Sequence, residues 1–79
     1  MLELIRERYP DNDIFIMNGM NNAIIGYNEK SNCVIYSVKK IILELQKEMS
    51  RQDAIEYYEF NIESTYVGEN TPILCFDMF

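Results

Sequence analysis

Four carboxylates in the stretch "DAIEYYEFNIES", Asp53, Glu56, Glu59 and Glu63, recur at intervals of three and four residues. At about 100° per helical residue they share an arc of roughly 120°, so one surface carries all four charges. Carboxylates so spaced are the raw material of acid–base chemistry, or of a charged face that attracts a cationic partner. The apolar residues Ala54, Ile55, Tyr58 and Ile62 cluster on the opposite side of the same helix, yet Phe60 falls inside the acidic arc. Two accounts of Phe60 follow. Either the helix frays near residue 59 or the ring packs under the N-terminal segment, and the aromatic is simply covered. Or the ring is an anchor in a partner-binding surface made of Asp53, Glu56, Tyr57, Glu59, Phe60 and Glu63, where it supplies desolvated area and cation–π contact while the acids steer encounter with an arginine- or lysine-rich protein.

The rest of the chemical inventory is thin. The chain has no histidine, which removes the usual general base, the usual triads and the commonest metal ligand. "DND" at 11–13 opens like a calcium loop, but Ile16 and Asn22 stand where the loop needs its glycine and its final acid. "GYNEKSN" has no lysine placed as in a phosphate-binding loop. Tyr27, Tyr36, Tyr57, Tyr58 and Tyr66 are available either to line a ligand cleft or to fill core and rim. No catalytic residue, metal site or cofactor is expected, and the chain does not read as an enzyme.

At 79 residues the chain has room for one domain and one small core. Its net charge of −6 is unevenly spread: residues 50–79 hold six acids against Arg51 alone, while Lys39, Lys40 and Lys47 leave residues 37–49 slightly basic. Direct nucleic-acid binding is disfavoured, since phosphate neutralisation needs a basic stripe. Cys33 and Cys75 lie in the apolar runs "NCVIY" and "ILCFD", which suits buried free thiols in a reducing compartment better than a disulfide framework. "MLELIRERYP" is charged from its third residue, and no apolar run approaches the roughly 18 residues of a membrane span. A cytoplasmic, soluble protein without membrane contact is expected.

These residues need elements to position them. Leu2, Leu4, Ile5 and Tyr9 predict a short N-terminal helix closed by Pro10, and "IFIM" at 14–17 reads as a strand ending in the turn signal Asn18-Gly19. "AIIGY" and "CVIY" predict a hairpin across "NEKSN", with Gly26 marking a bulge or close approach. Ser37 is the expected N-cap of a helix whose apolar stripe is Val38, Ile41, Ile42, Leu45 and Met49. "SRQD" is an approximate capping box that starts a second helix at Ser50, and the short connection predicts an antiparallel αα-hairpin. "YVGENTP" reads as a turn and "ILCFDMF" as a last strand. The fold class is therefore α+β: a small antiparallel sheet of three to four strands, an αα-hairpin on one face, and a short N-terminal helix.

The succession "NAIIGY", "CVIYSV", "DAIEYYEFNI" and "YVGENTPI" resembles a group of small phage and prophage proteins over roughly residues 10–74, most specifically in "EYYEFNI" and "YVGENTPI". The chain departs from that pattern at Asn21-Asn22, where an acidic pair often precedes the strand, and at Ser64-Thr65. The resemblance implies phage context rather than a mechanism. In that context the expected role is that of an accessory protein that binds and inhibits or modulates a host protein with a basic surface, of anti-defence type, its acidic helix partly imitating nucleic-acid charge. The alternatives are an oligomeric sponge for a small nucleotide signal, using the tyrosines and backbone donors near Gly26 and Gly68, and a structural or assembly module. A phosphate ligand requires Lys39, Lys40 and Arg51 to converge. The apolar last strand further suggests a homodimer or higher oligomer joined edge to edge.

Overall fold

The computed structural model describes residues 1–65 and 68–78. The order of elements is α1 (Leu2–Arg8), a 3-10 turn (Asn21–Ala23), β1 (Ile24–Asn28), β2 (Cys33–Ser37), α2 (Val38–Leu45), α3 (Arg51–Asn61) and β3 (Ile73–Cys75). The α+β class and the short N-terminal helix are as the sequence predicts. No helix among the described residues is long and apolar enough to cross a membrane.

β1 and β2 form the expected hairpin, Asn28 facing Cys33 across the loop "EKSN". The loop is set by its own chemistry. Asn28 Oδ1 accepts from the Lys30 and Ser31 N–H groups at 3.0 and 3.2 Å, and Asn32 adopts a left-handed φ of 56°, which asparagine tolerates. The pairing slips between Ile24 and Gly26, a bulge where the glycine announced one.

The sheet is mixed rather than wholly antiparallel: its order is β1-β2-β3, and β3 runs parallel to β2, with Ile35 facing Ile73 and Ser37 facing Cys75. The cause is the connection. Residues 38–72 leave the end of β2 through two helices and return to the starting end of the sheet, the crossover that a parallel pair requires. The last strand is also shorter than "ILCFDMF"; it ends at Cys75.

The "IFIM" run forms no strand. Ile14, Ile16 and Met17 instead pack against the core, and the Met17 N–H donates to the buried Tyr36 hydroxyl at 2.8 Å, so a side chain rather than a ladder satisfies the backbone. Asn18-Gly19 does turn the chain: Met20 N–H bonds Met17 O at 3.2 Å, and Gly19 has φ +81°.

α2 starts where Ser37 caps it, the hydroxyl accepting from the Lys40 N–H at 3.1 Å. Val38, Ile41 and Ile42 are buried, with Leu45 and Met49 packed on the margin, so the predicted stripe is the face that meets the core. The helix itself stops at Leu45, and turns carry the chain to Ser50. α2 and α3 are in contact, and both meet the same core of Val34, Tyr36, Ala54 and Tyr58. Of the two thiols, Cys33 is buried, whereas Cys75 is exposed because it lies on the edge strand; both are free.

Candidate partner-binding face on the third helix

α3 is held at both ends by local bonds. Ser50 Oγ accepts from the Asp53 N–H at 3.1 Å, and the acid of Asp53 sits in the first turn, where the helix dipole favours it. At the other end the Ile62 and Glu63 N–H groups both donate to Tyr58 O at 2.9 Å, and Thr65 Oγ1 donates to Asn61 O at 3.0 Å. Ala54, Tyr58 and Ile62, four residues apart, point into the core. This spacing fixes what faces out.

Asp53, Glu56, Tyr57, Glu59, Phe60 and Glu63 are all exposed. Phe60 is 81% accessible and Tyr57 44%, the two rings standing three residues apart on the outward side. The helix continues through Asn61, so fraying at residue 59 does not occur, and the ring of Phe60 is not covered by the N-terminal segment. The carboxylates divide into two sets. Asp53 and Glu56 lie seven and four residues before Phe60 on its own side of the helix, Glu56 accepting from Gln52 Nε2 at 3.2 Å. Glu59 and Glu63 lie on the flank and border a shallow apolar groove of about 210 Å³ together with Ile42, Ile55, Tyr58 and Phe76. Their charge reaches the core: burial first, then Glu63 and Glu59, raise the Tyr58 hydroxyl above its ordinary pKa. Among the described residues the one ion pair is Lys47 to Glu44 at 2.9 Å, so neither the three α3 carboxylates nor Glu63, just past the helix end, is neutralised by a neighbour.

The tyrosines do not share a cleft. Tyr36 and Tyr58 are core, Tyr57 is on the outer side of α3, and Tyr27 stacks on Tyr9 with ring centroids 4.8 Å apart; Tyr66 lies outside the described residues. Around Tyr27 a polar cluster ties the N-terminal segment to the hairpin, Asn12 donating to the Tyr27 hydroxyl at 3.1 Å and to Asn32 Oδ1 at 3.0 Å. No group of three or more metal-ligating side chains occurs among the described residues.

One feature escaped sequence reasoning, and a second, the convergence named as the condition for a phosphate ligand, is met by two of its three cations. Asp77 accepts from the Ser37 hydroxyl and from the Lys39 N–H at 2.9 Å, docking the C-terminal segment on the first turn of α2; these bonds hold its carboxyl below its ordinary pKa. Lys39 and Arg51, from different helices, line one groove with Leu43 and Met78, without Lys40. Neither feature has a local signal, since each joins residues far apart in the chain.

Compared with protein-family models, curated proteins and solved structures, the chain matches none.

Proposed function

We propose that this protein is a phage- or prophage-encoded accessory protein that binds a host protein with a basic surface and inhibits or modulates it, using the outer face of α3. The observation that carries the reading is Phe60, the most exposed large apolar side chain on the described surface, held on a regular helix beside Tyr57, Asp53 and Glu56. Leaving a phenylalanine in water forfeits its burial energy, and covering it in an interface recovers that energy; aromatic anchors of this type dominate binding. All four acids are exposed, Asp53 and Glu56 beside Phe60 and Glu59 and Glu63 at the rim of a shallow groove, an arrangement suited to steering and poorly suited to desolvated proton transfer.

Charge density sets the extent of any nucleic-acid imitation. Asp53, Glu56 and Glu59 on α3 and Glu63 just past its end carry four charges over about 15 Å, less than half the roughly nine that duplex DNA holds over that length and close to the count on one strand. The face therefore supports recognition by a protein with a few convergent cations rather than occupation of a long duplex channel.

Affinity capture from prophage-carrying cells, with the parent chain and Phe60→Ala run in parallel and small molecules assayed in the eluate, tests the reading. A stoichiometric protein with a basic surface, captured by the parent and lost by Phe60→Ala, supports it. A partner retained equally by both chains, or a bound nucleotide with no protein partner, contradicts it.

A further inference from the structure

We propose that the groove between α2, the start of α3 and the C-terminal segment binds a small phosphate monoester, independently of the α3 face. Lys39 in the first turn of α2 and Arg51 at the start of α3 line this groove of about 190 Å³, with Leu43 and Met78 as its apolar walls. Two of the three cations that a phosphate ligand calls for in this acidic chain thus converge, while Lys40 does not line the groove. Among the described residues neither cation makes an ion pair. Asp77 stands near Lys39, and its carboxylate, kept ionised by the Ser37 hydroxyl and the Lys39 N–H, offsets part of the positive charge of the groove.

Each part of the lining selects a part of the ligand. A phosphate monoester carries close to two negative charges at neutral pH, matching a lysine and an arginine, the latter offering a planar fork to two phosphate oxygens. Leu43, 53% exposed on the outer side of α2, and Met78 offer apolar contact to a small group esterified to the phosphate. The groove is smaller than the roughly 300 Å³ at which pockets for drug-sized ligands begin, so a single ring on the phosphate is the largest group it encloses. The net charge of −6 does not forbid the site. At physiological ionic strength fields decay over about 8 Å, so the two cations in the groove outweigh acids on the far side of α3.

Titration with phenyl phosphate, inorganic phosphate and benzyl alcohol, followed by backbone amide resonances, decides the matter. The expected result is saturable shifts at Lys39, Leu43 and Arg51 with phenyl phosphate, weaker binding of inorganic phosphate, and none of benzyl alcohol. Lys39→Gln and Arg51→Gln should each weaken phenyl phosphate binding about tenfold, while Lys47→Gln, whose lysine pairs with Glu44, should not. Shifts absent at millimolar phenyl phosphate, equal weakening by all three variants, or benzyl alcohol binding as well as the ester would overturn the proposal. Inorganic phosphate binding as tightly as phenyl phosphate would overturn the role given to Leu43 and Met78.

Discussion

Tyr36 shows how one side chain can organise a segment that lacks secondary structure. Its ring is fully buried on β2 while its hydroxyl accepts the Met17 N–H, so it holds "IFIM" against the core without adding a strand. Tyr36→Phe keeps the packing and orphans that N–H. It should cost about 1 to 3 kcal/mol in denaturant unfolding, seen as a lower midpoint at unchanged slope. A midpoint equal to the parent's would mean that water satisfies the amide. Phe60 is the opposite case at the same scale. Its exposure follows from the 3.6-residue period of "DAIEYYEFNI", which is why its place among the acids was legible in the sequence before any contact was known.

Helix starts were equally legible, because caps are local: Ser37 and Ser50 each bond the amide three residues on. What was not legible is what those starts do over distance. Ser37 also donates to Asp77, so the α2 N-terminus anchors a tail forty residues further on, and nothing in "CFDM" advertises it. Ser37→Ala should therefore cost about 1 to 2 kcal/mol for the cap and loosen the tail, measured as faster amide exchange at residues 73–78. The Asp77 carboxyl adds a pH dependence. Its folded pKa lies below the ordinary value of 3.8, so its stabilisation is present above that pH and is lost as pH falls through the folded pKa. Asp77→Asn should reduce this acid sensitivity, as read from melting curves between about pH 5 and pH 2. An unchanged acid limb would assign it to other carboxylates. The parallel course of β3 was hidden for the same reason as the tail contact: strand patterns declare an element but not its neighbour, and the crossover through 38–72 decides the direction.

The whole molecule leaves more surface in water than a compact chain of its size. Its accessible area is 5516 Å², against about 5000 Å² for a monomer of 9.4 kDa. An exposed apolar side chain lies just past the β3 edge strand, where Phe76 is 69% exposed. Self-association at that edge is the expected outcome, and sedimentation at micromolar concentration should show a concentration-dependent dimer that Phe76→Glu abolishes. A clean monomer would contradict it. Stability of the whole should also have an alkaline limit. Burial holds Tyr36 and Tyr58 above the ordinary tyrosine value of 10.0, so the folded chain keeps protons that the unfolded chain releases; the stabilisation is complete below pH 10 and is lost as pH rises through the folded values. Melting temperatures that stay level above pH 10 would show that the hydroxyls reach solvent.

Whether α3 presents an anchor or a misplaced core residue is decided by one paired measurement on Phe60→Ala: thermal stability alongside affinity for the captured host protein. A surface anchor predicts melting close to the parent's, because a ring 81% exposed contributes little to folding, together with binding weakened at least about thirtyfold. Unfolding by that single substitution, or affinity equal to the parent's in a variant that melts normally, would contradict the account.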